Sequence, residues 1–87
     1  MNTAVDLDFD TRIRQVLREH ARLNKRVEEL DADTDLYQSG MTSHASVNVM
    51  LALEGAFDVE FPDHMLKRSV FASIGAIRQA VSQLAAG

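Results

Sequence analysis

The sequence has 87 residues, 46% of them hydrophobic, which allows one domain with a single modest core. It contains no cysteine, so disulfides and thiolate metal sites are excluded, and no thiol chemistry can come from the polypeptide itself. Thirteen acidic residues against nine Lys and Arg give a formal charge of −4, which disfavours free nucleic acid as a ligand.

The amino terminus, Met1 to Asp6, lacks a basic segment followed by an apolar run, so it does not read as a secretory signal. No later stretch is long enough to span a membrane. The expectation is a cytoplasmic monomer without membrane association, folded as one domain over residues 1–87 with its core at about 10–85. Phe9, Ile13, Val16, Leu17, His20, Leu23 and Val27 recur at steps of three and four, which predicts an amphipathic first helix capped by Asp8 or Asp10. Arg14, Arg18, Arg22 and Arg26 then form one solvated basic face on that helix. From Val27 to Met65 there is no Lys or Arg, while nine acidic residues fall there, so the molecule is electrically polarised and suited to steering a charged protein partner.

From about Glu28 to Thr42 the periodicity disappears. Asp31 to Asp35 is turn-rich, Leu36 and Tyr37 read as anchors, and Ser39-Gly40 is a breaker, so a long loop is expected. A second helix begins at Thr42 or Ser43, either of which can cap it, and runs to about Phe57 with Ser46, Val49, Met50, Leu53 and Phe57 on one face. Pro62 ends the following turn. Asp63 to Arg68 form one short helical turn. Ser73 caps a last helix with a buried stripe of Ile74, Ile77, Val81 and Leu84. The fold class is all-α: a small bundle of three longer helices and one short one, with the long loop between the first two.

Two metal-like patterns fail on inspection. Asp31, Asp33 and Asp35 occupy the first three ligand positions of an EF-hand, but Leu36 stands where its glycine belongs and Thr42 where its bidentate glutamate belongs. His20, His44 and His64 have no ligand-like spacing. Ser43-His44 is no catalytic dyad, because neighbours on a helix point about 100° apart. Hydrolase chemistry is poorly supported, and the chain reads as non-catalytic.

The stretch Gly40 to Pro62 carries the most information. A glycine precedes Ser43 by three residues, the serine opens a helix ending Leu53-Glu54-x-x-Phe57, and Val59-Glu60-Phe61-Pro62 follows. This frame resembles the acyl carrier protein family, with Asp35-Leu36 and Phe71-Ala72-Ser73-Ile74 falling where that family has loop and last-helix anchors. The likeness covers about residues 10 to 85. It implies a 4'-phosphopantetheine arm, taken from coenzyme A by a phosphopantetheinyl transferase and attached covalently to Ser43, with cargo held as a thioester. The arm would import the thiol that the chain lacks. A helix amino terminus also favours the linking phosphodiester.

The sequence departs from that family at Thr42-Ser43-His44, where Asp-Ser-Leu is usual. Its second helix is poor in acids, and Val47 and Leu51 make the face next to Ser43 apolar. Recognition by shape and burial is expected there, with Thr42, His44, Val47 and Leu51 as partner contacts. With Phe57 to Asp63 and Ser69 to Ile74, these features are similar to bacterial aminoacyl carrier proteins. That resemblance implies a small amino acid as cargo, an amino acid:carrier protein ligase related to class II aminoacyl-tRNA synthetases, and a downstream acceptor enzyme. The competing readings are a conventional acyl or peptidyl carrier, and a non-covalent interaction module in which Ser43 merely caps its helix.

Overall fold

The computed structural model describes residues 3–86. The first helix, α1, spans Thr3–His20 and turns Ile13, Val16 and Leu17 inward, one turn apart as the 3.6-residue period requires. It starts well before Asp8 and Asp10, so neither is its cap. Asp10 instead accepts from Arg14 Nε at 2.8 Å, one turn further on.

The helix also stops earlier than its periodicity predicts. Ala21 still donates to the Leu17 carbonyl, but Arg22 adopts a left-handed backbone (φ 56°) and the chain leaves the helix. Leu23 and Val27 keep the helical spacing because they pack on the same core, though from a loop and from a 3₁₀ turn over Val27–Glu29. The continuous basic face is therefore absent. Arg14 and Arg18 remain on α1, while Arg22 and Arg26 lie beyond it. Arg14 Nη1 reaches the carbonyls of Val27 and Leu30, at 2.7 and 3.1 Å, and Arg18 pairs with Glu28 at 2.9 Å. These cations hold the loop to α1.

The long loop is fixed by buried side chains and by bonds to distant backbone. Val27, Leu30, Leu36 and Met41 are all buried, Leu36 completely. Leu36 N–H donates to Ala72 O at 2.7 Å, Gly75 N–H to Ala32 O at 2.9 Å, and Asn24 N–H to Ser39 O at 2.8 Å. Gly75 sits at the start of the last helix, where an added Cβ would lie 3.2 Å from that Ala32 oxygen.

The second helix, α2, covers Ser43–Phe57 and buries Ala45, Val49 and Leu53. It ends at Asp58, whose left-handed backbone (φ 54°) closes the helix through its N–H on Glu54 O. Phe57 meets Phe9 edge-on at 5.1 Å between ring centroids, which ties α2 to α1. The expected short helix is two 3₁₀ turns, Asp63–Met65 and Arg68–Phe71. Phe61 and Phe71 flank this segment with rings 5.3 Å apart. The last helix, α3, runs over Ile74–Ala86; Ser73 Oγ accepts from Ala76 N–H at 3.1 Å, as a cap should, and Ile74, Ile77, Ala80 and Val81 are buried. The fold is all-helical, and its radius of gyration, 11.9 Å, equals the roughly 12 Å expected of a packed chain this long.

Candidate functional site

Thr42 and Ser43 divide the work at the start of α2. Thr42 has extended backbone angles (φ −82°, ψ 167°), and its Oγ1 accepts the Ala45 N–H at 3.0 Å. That is the N-cap bond, so the cap is Thr42 and not Ser43. Ser43 is the first helical residue, exposed, and its hydroxyl makes no hydrogen bond among the described residues. Helix geometry leaves the Ser43 and His44 amides without an intrahelical acceptor, and the dipole's positive end lies there. An exposed, uncommitted hydroxyl at such a place fits a phosphodiester attachment.

The loop before it fixes where this hydroxyl points. Asp35 Oδ1 accepts from the backbone N–H groups of Tyr37 and Gln38, at 2.9 and 3.2 Å, so this carboxylate serves a turn. Ser39 is buried and donates to Asp35 O at 3.0 Å. Gly40 then takes φ 115°, which an L-residue rarely adopts, and an added Cβ there would lie 3.1 Å from Asn24 N. Met41 enters the core, and Thr42 starts the helix.

A cleft of about 360 Å³ opens beside Ser43. Tyr37, Ser46, Val47, Met50, Leu66 and Phe71 line it, and Lys67 and Arg68 join them. The Arg68 guanidinium carbon lies 3.8 Å from the centroid of the Tyr37 ring, in stacking range. These two cations escaped the sequence reading. They end the long stretch without Lys or Arg, which is a visible signal, but nothing local in the sequence sets them against Ser43.

Val47 and Leu51 are exposed, 50% and 55%, one turn apart on α2. Leu66, 48% exposed, is a third large apolar side chain on the surface and was not singled out from sequence. Thr42 and His44 are exposed as well. The other marked residues serve the fold. Glu54 Oε2 accepts from Phe61 N–H at 2.9 Å, so the glutamate of the Leu-Glu-x-x-Phe pattern holds the turn after α2. His20 is half-buried beside Glu19, at 3.7 Å, while His44 and His64 are exposed. Among the described residues no group of three or more His, Cys, Asp or Glu is placed to hold a metal ion, and no helix is long and apolar enough to cross a membrane.

Residues 11–81 match the family model described as "Phosphopantetheine attachment site". The "Aminoacyl carrier protein" of Agrobacterium fabrum is 44% identical over 75 residues, covering 86% of this chain and 90% of that protein. Among solved structures, the chain resembles one in a crystal structure of an engineered Bradyrhizobium japonicum glycine:carrier protein ligase complexed with carrier protein from Agrobacterium tumefaciens and ATP. That match has a TM-score of 0.83 at 43% identity and covers 86% of this chain and 97% of the other. A solution structure from Agrobacterium tumefaciens matches with a TM-score of 0.71 at 42% identity, covering 90% and 94%.

Proposed function

The chain belongs to the phosphopantetheine attachment-site family, and from that membership we propose that Ser43 is the attachment residue of a carrier for a small amino acid. The family's covalent 4'-phosphopantetheine gives the protein a thiol that its cysteine-free sequence lacks, and that thiol holds cargo as a thioester. The carrier itself turns nothing over. It is read as one domain over residues 1–87, acting in the cytoplasm as a monomer.

The observation that carries the reading is the Thr42 cap. Because Thr42 Oγ1 satisfies the Ala45 N–H, the Ser43 hydroxyl is left exposed and uncommitted. A non-covalent module in which Ser43 serves only as cap has no such need, since the capping bond belongs to its neighbour. In the attachment step Ser43 Oγ gives up its proton to a base on the transferase and bonds to the phosphorus next to pantetheine. The pyrophosphate bond of coenzyme A breaks, and its nucleotide part leaves. The positive end of α2 favours the phosphodiester that remains on Ser43.

Two similarities support an amino acid as cargo: the relative named as an aminoacyl carrier protein, and the solved complex of a carrier protein with a glycine:carrier protein ligase. An amino acid:carrier protein ligase is then the loading partner, with a downstream acceptor taking the cargo. Val47 and Leu51 offer that ligase an apolar face beside the arm, with Thr42 and His44 at its edge. Intact-protein mass spectrometry tests the attachment. After incubation with coenzyme A, magnesium and a broad-specificity transferase, the wild type gains one phosphopantetheinyl group and Ser43→Ala gains none. Unchanged wild-type mass with every transferase tried would refute it.

A further inference from the structure

Lys67 and Arg68 have no carboxylate partner within the described residues. Neither makes an ion pair or side-chain hydrogen bond there, yet both line the cleft that Ser43 borders. They are also the first Lys or Arg after Arg26, across a stretch that includes all of α2. If Ser43 bears a phosphodiester, the cations on the wall of its own cleft are these two.

Arg68 is pre-positioned for an anion. Its guanidinium lies over the Tyr37 ring at 3.8 Å, and stacking of this kind uses the face of the group. The edge of a stacked guanidinium keeps its N–H donors, whose fork matches two phosphate oxygens. Tyr37 is in turn held by the turn that Asp35 closes, through the 2.9 Å bond from Tyr37 N–H to Asp35 Oδ1. The flexible arginine is therefore ordered before any ligand arrives, which reduces the entropy lost on binding. Beyond the cations the wall is apolar, with Val47, Met50, Leu66 and Phe71. A volume of about 360 Å³ lies at the small end of the range for small-molecule sites, about 300–1,000 Å³.

We infer that Lys67 and Arg68 clamp the phosphodiester of the arm on Ser43 and lay the pantetheine along the cleft between α2 and the 3₁₀ turns. The inference rests on attachment at Ser43. It adds that the arm is docked on the carrier between partners. A partner enzyme must then displace the pantetheine from Val47, Met50, Leu66 and Phe71, and its contact with Val47 competes for one wall of that cleft.

The test uses holo-protein made with ¹⁵N-labelled coenzyme A, with loading verified by mass. NMR relaxation of the two arm amides gives their order parameters. Docked amides in the wild type lie above about 0.6, the level below which a chain is flexible, and in Lys67→Gln/Arg68→Gln they fall below it. Lys67→Gln alone, which breaks no ion pair or side-chain hydrogen bond among the described residues, gives an intermediate loss, while Lys67→Arg keeps the order. Flexible arm amides in fully loaded wild type overturn the clamp and leave the attachment standing. Equal order in wild type and a folded double variant overturns it too. Failure to load the wild type removes the attachment and the clamp together.

Discussion

The Thr42 hydroxyl accepts the Ala45 backbone N–H at 3.0 Å, and this bond separates the folding role at the start of α2 from the chemical one. The two adjacent hydroxyl residues should therefore respond oppositely to mutation. Thr42→Ala loses the cap and about 1 kcal/mol of stability, measured by urea denaturation, yet still takes up the arm. Ser43→Ala stays within about 0.5 kcal/mol of wild type, as exposed substitutions do, and takes up none. A loss of stability in Ser43→Ala as large as that in Thr42→Ala would make Ser43 the cap.

Arg14 is a structural cation. Its guanidinium satisfies the Val27 and Leu30 carbonyls, whose residues are both buried. Arg14→Met keeps much of the stem but leaves the Leu30 carbonyl without a donor among the described residues and Val27 O with the Leu30 N–H alone, at about 1–3 kcal/mol. Arg14→Lys recovers only part, since an ammonium lacks the planar fork that spans two carbonyls and Asp10 at once. Equal stability of the methionine and wild-type proteins in denaturant would contradict this.

The glycines divide sharply. Gly40→Ala forces a Cβ to 3.1 Å from Asn24 N at φ 115°, so it costs about 1–3 kcal/mol. It also speeds hydrogen exchange at the Asn24 amide, which donates to Ser39 O. Gly55→Ala meets nothing within 4 Å on an α-helix and gains up to about 1 kcal/mol from helix propensity. A thermal melt that ranks the two in the reverse order would refute the assignment.

Acid should release the tie between α1 and the 3₁₀ turn. The Glu28 carboxyl is held below its ordinary 4.5, first by a backbone hydrogen bond of Glu28 itself and then by Arg18 at 2.9 Å. Its folded value is the lower one, so its contribution is complete above the unfolded value and is lost as pH falls through the folded value. Arg18→Ala should move the Glu28 midpoint upward in an NMR titration, and 1 M salt should do likewise because the pair is solvent-exposed. No movement in the variant would remove Arg18 as a cause.

Val47, Leu51 and Leu66 are large apolar side chains left in solvent. Leu51→Ser should weaken ligase binding about tenfold, equivalent to 1.4 kcal/mol, while unfolding changes by no more than about 0.5 kcal/mol. Burial rather than charge pairing would drive that contact, so wild-type affinity should vary little between low and moderate salt. Collapse of binding over that interval would refute an apolar interface.

The sequence by itself determined the helical class, the span of α2, the Ser73 cap and the placing of Ser43 at a helix start, because each follows from contacts within a turn or two. It also determined that any thiol must be imported, since cysteine is absent. The end of α1 was not legible: Leu23 and Val27 keep helical spacing although they reach the core from irregular chain. Only the tertiary structure decided that Arg14 caps a loop and that Thr42, not Ser43, caps α2. It alone brought Lys67 and Arg68 to the cleft beside Ser43, through bonds such as Leu36 N–H to Ala72 O that join distant parts of the chain. Periodicity records which face of an element is buried; which elements meet depends on loops whose anchoring bonds have no period.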